Sequence, residues 1–193
     1  MLPESLTKII ESVDYVNYDL HIRNIDFSTK LLKVDFSIHD SEGSNGRVNI
    51  RMTILGEADY CIAKHGNSSY NHLENEHPLL WRFSDIQCEL YIKGQTTTIK
   101  ELIFDLFSIH HSLFGPYVSF DPSIIKTLER GHGVLQNGSK KLLKLYAETL
   151  NEYGIKTSII GEHSPSKHLQ DLKILFLGNS YFIGDQYEFE VLD

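Results

Sequence analysis

Apolar and polar residues alternate one for one in three stretches of this chain. Between 31 and 40, Leu32, Val34, Phe36 and Ile38 take one side, while Lys33, Asp35, Ser37 and His39 take the other. Val48, Ile50, Met52 and Ile54 repeat the pattern against Asn49, Arg51 and Thr53, and Ile86, Cys88, Leu90 and Ile92 repeat it again. Successive side chains of a strand point to opposite faces. Each stretch therefore predicts a strand packed on one face and wet on the other, the signature of an antiparallel sheet. A first strand is expected at 18–25, and the turn-rich links 26–30 and 39–46 make neighbouring strands hairpins.

The period then lengthens. From 97 to 112, Leu102, Ile103 and Leu106 fall within about 60° of Ile99 on a helical wheel and define a buried stripe. Thr97 or Thr98 supplies an N-cap and Gly115-Pro116 the stop. A second helix spans 140–153, capped by Ser139 and closed by Gly154, with Leu142, Leu145, Tyr146, Thr149, Leu150 and Tyr153 on one side. Shorter helices are expected at 4–12 and 122–130, and strands at 155–160, 172–178 and 186–192. The order predicts an α+β fold in one domain, 1–193, with no internal boundary. Its antiparallel β-sheet comes from N-terminal hairpins and a C-terminal strand pair, covered on one face by the helices at about 97–112 and 140–153.

Charge narrows the partners. The formal net charge is −8, which repels phosphate backbones, argues against nucleic acid and suits a basic protein. Two cysteines are too few for a disulfide scaffold, and Cys88 lies on an apolar strand face as a small hydrophobe. The opening "MLPESLTKIIESVD" has no basic, then apolar, signal pattern, and no apolar run is long enough for a membrane span. A cytoplasmic protein is expected.

The most conspicuous chemistry is "FSIHHSLFG" at 107–115. On the wheel His110 falls about 20° from Ile99, inside the buried stripe, while Asp105 falls on the far side. Ser112 follows His111 directly, and adjacent helix residues do not face each other. The expectation is a tucked imidazole at a helix end, with no catalytic residue assigned.

Three further groups carry candidate chemistry. Gly133 to Lys140 reads G-x4-G-S-K, with the serine and lysine of a nucleotide-binding phosphate loop transposed. Arg130, Gly131 and Gly133, with Gly138, Ser139 and Lys140 before the helix, form a glycine-rich loop at 130–141. This loop resembles the pyrophosphate loop of GNAT-type acyltransferases, and "YAETLNEYGIKTSII" resembles the helix and strand that follow it there. The resemblance covers about thirty residues and implies a phosphate-bearing cofactor such as an acyl-CoA, bound by backbone N–H groups. It lacks that family's strand before the loop and its Asn-containing helix after the next strand. Cys61, His65, His72 and His77 lie within one tract at a spacing that matches no standard zinc motif. Asp185, Glu188 and Glu190 concentrate acidity near the last strand, with both glutamates on its solvent face.

These features favour a protein-binding module without catalysis or cofactor, of the kind bacterial immunity proteins represent, with Asp185, Glu188 and Glu190 meeting a basic partner. The alternative is a phosphate-cofactor enzyme using 130–141.

Overall fold

The computed structural model describes residues 2–12, 18–26, 31–40, 47–56, 59–62, 71–165 and 171–192. The links 27–30 and 41–46, and His65 with its neighbours 63–70, lie outside the described residues. In chain order the first elements are α1 (Glu4–Ser12), β1 (Tyr18–Asp26), β2 (Leu32–Asp40), β3 (Arg47–Leu55), β4 (Asp59–Cys61) and β5 (Asn71–Glu74). A 3-10 turn (Pro78–Leu80), α2 (Trp81–Ser84), β6 (Gln87–Lys93), α3 (Ile99–Phe114), α4 (Ser123–Arg130), β7 (His132–Ser139), α5 (Lys140–Glu152) and β8 (Lys156–His163) follow. The chain closes with β9 (Lys173–Leu177), β10 (Ser180–Gly184) and β11 (Gln186–Leu192). The fold is α+β, with three antiparallel sheets among the described residues. No helix among them is long and apolar enough to cross a membrane.

The elements gather into two compact units. One comprises Met1–His77 with Asp171–Asp193, and the other, Pro78–Gln170, interrupts it in sequence. The first unit holds two four-stranded sheets, ordered β1-β2-β3-β11 and β4-β10-β9-β5. Strict alternation places Leu20, Leu32, Val34, Phe36, Ile38, Ile50, Met52 and Ile54 on the inner face of the first sheet. They are buried with Leu6 of α1 and with Leu175, Leu177 and Phe182 of the second sheet.

One ribbon joins the two sheets. β3 pairs with β11 and β4 pairs with β10, so both strands of the ribbon change sheet at the same corner. Gly56 turns one strand there, at φ 85°, and a Cβ on it would overlap the Asp185 carboxylate. Gly184 lets the other strand close on β3, since its Cβ would overlap Ile54 Cγ2. Beyond the corner the Tyr187 hydroxyl lies 2.8 Å from the carbonyls of both Lys173 and Phe182, tying β11 to the second sheet.

The second unit is built on β6, the centre of a three-stranded sheet ordered β7-β6-β8. Cys88, Leu90 and Ile92 are buried, and Glu89, Tyr91 and Lys93 point outward. The helix α5 contacts all three strands, α3 packs on α5, and α4 packs on β7. Ser139 caps α5 by accepting the Leu142 N–H at 3.2 Å. At the other end Gly154, at φ 76°, lets the Ile155 N–H reach back to Leu150 O at 3.0 Å.

The expected single sheet is thus three sheets. Residues 87–93 do not extend the N-terminal hairpins, and the strands near 172–178 and 186–192 are not sheet-mates, since β9 lies in the second sheet and β11 in the first. Residues 132–139 form a strand in place of the expected glycine-rich loop.

Gly184→Ala is expected to lower stability by about 1–3 kcal/mol, the range for an overpacked core. Urea unfolding measures this, and combining it with Ile54→Ala should cost less than the sum of the two single changes.

Candidate functional site

The histidine corner is decided by its hydrogen bonds. His110 Nε2 lies 3.0 Å from the Val118 carbonyl, which only accepts, so this nitrogen carries the proton. Nδ1 then accepts from the Tyr146 hydroxyl at 2.8 Å. Burial pushes the His110 pKa below its ordinary value, the Val118 bond opposing it in part. The same burial raises Tyr146, so both groups are neutral at physiological pH. Ser112 Oγ donates to Ile109 O at 2.8 Å, and His111 stacks on Phe107 with ring centroids 5.8 Å apart. Asp105 accepts instead from Tyr153, whose pKa this bond raises to about 12. With both His110 nitrogens engaged, the corner holds no nucleophile–base pair. It does frame a mostly apolar cleft of about 410 Å³, lined by Phe107, His111, Pro116, Phe120, Pro122 and Ile125 among others.

The outer face of the first sheet is polar and cross-linked. Arg51 forms a two-point bond with Asp35, 2.7 and 3.0 Å, and lies 3.8 Å from Glu190 on the next strand. Hydrogen bonding to Arg51 holds the Asp35 carboxyl below the usual carboxylate range. Glu188, opposite Thr53, has no salt bridge among the described residues. Both glutamates are exposed on β11, which is an edge strand of its sheet. Asp185 does not join them. It occupies the corner, where its backbone N–H donates to Leu55 O at 3.1 Å and its Oδ1 is buried.

One Ser–His contact escapes the sequence pattern. Ser37 Oγ lies 2.8 Å from His39 Nε2, and Arg23 donates to Ser37 Oγ at 3.0 Å and reaches Nε2 at 3.1 Å. Two donors therefore compete for the single Nε2 lone pair, and Ser37 is fully buried, so its hydroxyl has no path to a substrate. The trio holds the polar face together.

The remaining candidates are pulled apart. Gly131 ends α4 and Ser139 begins α5, and the strand between them spans roughly 25 Å at about 3.3 Å per residue. Arg130, Gly131, Gly133, Gly138, Ser139 and Lys140 therefore cannot surround one phosphate. The Lys140 ammonium is held 2.5 Å from Glu162, which raises its pKa. In the second sheet Cys61, Tyr181, Phe176 and His72 stand in register across four strands. Three spacings of about 4.8 Å separate the thiol's strand from the imidazole's, far beyond a shared zinc. His72 donates instead to Glu74 at 2.6 Å and stacks on Phe176, and His77 meets the same ring edge-on. Burial lowers the His77 pKa. Among the described residues no three His, Cys, Asp or Glu side chains gather to hold a metal.

Comparisons with protein-family models, curated proteins and solved structures return no match.

Tyr146→Phe keeps the ring but removes the proton that His110 Nδ1 accepts. It should cost about 1–3 kcal/mol in urea unfolding, as for a buried group left without a partner. Stability should also fall as pH drops through about 6.5, where the unfolded imidazole gains a proton that the buried one resists. Above that pH the profile is flat with respect to this group. His110→Phe should flatten the slope to what His77 contributes.

Proposed function

We propose that this chain is a non-enzymatic protein-binding module that receives a basic partner on the outer face of its first sheet. The observation carrying this reading is the segregation of charge. Met1–His77 with Asp171–Asp193 contains 17 acidic and 8 basic side chains, whereas Pro78–Gln170 contains 9 and 10. The acidity of the chain thus belongs to one unit. Within that unit β11, an edge strand among the described residues, offers Glu188 and Glu190 as steering charge for an incoming strand. An inhibitor that neutralises a basic toxin, as bacterial immunity proteins do, is the form of this reading that suits the charge and size. Asp185 is left out of the interface, because its carboxylate faces the corner at Gly56.

A basic protein recovered on the tagged chain at low salt should be released as salt screens the contact. The variant Glu188→Gln/Glu190→Gln should recover at least tenfold less of it at unchanged melting temperature. Glu188→Gln should account for most of that loss, since Arg51 already compensates Glu190. Undiminished recovery by the double variant would sink the assignment of β11.

A further inference from the structure

The open face of the three-stranded sheet carries a charge pattern that its own stability does not explain. His132, Lys93 and Lys156 stand directly opposite one another across β7, β6 and β8, and all three are exposed. Of these, Lys93 and Lys156 carry like charge, and like charges at facing positions destabilise an antiparallel pair. No salt bridge among the described residues reaches Lys93 or Lys156. The carboxylate of β6 on this face, Glu89, lies four residues from Lys93, roughly 13 Å along the strand.

The next rung supplies a different surface. Val134, Tyr91 and Ser158 face one another there, and Tyr91 and Val134 are 37% and 45% exposed. A bulge in β7 sets this register: Leu90 faces Gln136 and Tyr91 faces Val134, so Leu135 is the extra residue and is buried. Bulges of this kind re-aim side chains beside functional sites. The aromatic ring and the cationic rung are roughly 7 Å apart along the strand, and the rung is roughly 10 Å wide.

The cationic end is held rigidly. The Gly94 N–H donates to Gly131 O at 2.8 Å, and a Cβ on Gly131 would come within 3.0 Å of Gly94 O. A Cβ on Gly94 would lie 3.5 Å from Ile155 Cα. The backbone entering His132 is therefore bonded to that leaving Lys93, and the segment entering Lys156 packs beside it. Arg130 departs from this face, since its guanidinium reaches the helix side of Gly133 near Thr127.

We infer that this face binds a phosphorylated planar molecule of the nucleotide class. The phosphate sits on the His132–Lys93–Lys156 rung, where its charge cancels the repulsion between the two lysines, and the ring stacks on Tyr91. Lysine ammonium groups bind phosphate as point charges. One rung serves one phosphate group, and a chain of net charge −8 repels an extended polyanion. A single nucleotide therefore fits better than a nucleic-acid strand. This inference concerns the near-neutral unit and is independent of the partner reading above.

Calorimetric titration of the full chain with adenosine, guanosine, cytidine and uridine monophosphates tests it, alongside adenosine, inorganic phosphate and an eight-residue DNA oligonucleotide. At least one monophosphate should bind about tenfold more tightly than inorganic phosphate, the gain expected from stacking. Tyr91→Leu should reduce that affinity to the level of inorganic phosphate, and Lys93→Gln/Lys156→Gln should abolish binding. The lysine variant should melt higher than the native chain without ligand, because it relieves repulsion, so loss of fold cannot imitate loss of binding. The inference is overturned if no monophosphate binds, if the lysine variant binds as tightly as the native chain or melts lower, or if the oligonucleotide binds more tightly than every monophosphate.

Discussion

A side chain on a strand faces either its own core or the opposite surface, and this period of two governs both the packing and the chemistry of the chain. In β6, burying Cys88, Leu90 and Ile92 under α5 obliges Glu89, Tyr91 and Lys93 to stand outside. In β11, the packing of Tyr187 and Phe189 against the core obliges Glu188 and Glu190 to line the solvent face. Neither surface can slip by one residue without exposing its core. The bulge at Leu135 shows the constraint acting: one extra residue is absorbed so that Leu135 remains inside and Val134 remains beside Tyr91. The surfaces that carry the functional readings are thus positioned by hydrophobic burial on the other side of the same strands.

The same period explains what was legible beforehand. β2, β3 and β6 bury one face each, so their alternation is written out in full, and the capped helices α3 and α5 stand out by period and by Ser139, Gly115 and Gly154. β10 did not stand out because all five of its residues are buried, which removes the alternation. β7 has the sequence of a loop because Gly133 and Gly138 interrupt it and the bulge shifts its phase. Alternation also names no partner strand, so it gave no sign that β6 belongs to a separate sheet. The burial of His110 followed from the helical wheel, but Tyr146 and Val118 as its partners required the fold. The rung of His132, Lys93 and Lys156 draws on three distant segments and leaves no local signal.

Partnering separates structural polar groups from those available for function. His110, Ser37, Asp35, Arg51 and Lys140 are each the kind of residue that attracts a catalytic reading, yet each is engaged within the fold. Buried polar groups need such partners, because an unmade bond costs more than a made one gains. Their hydrogen bonds account for their presence without a substrate. Glu188, Lys93 and Lys156 have no comparable ion pair among the described residues, and exposure means that their charge is felt outside the molecule.

Net charge summed over the whole chain conceals this division. The total of −8 reads as uniform acidity, although the chain is acidic over 1–77 and 171–193 and near balance over 78–170. The fold reassigns it: the excess of acidic side chains falls in the unit that carries β11, while the inserted unit has one more basic than acidic side chain. Repulsion of phosphate, a sound expectation for an evenly acidic protein, is not an expectation for a unit whose own side chains are near balance, and it is on that unit that Lys93 and Lys156 stand. The two proposals thus draw on the charges of different units.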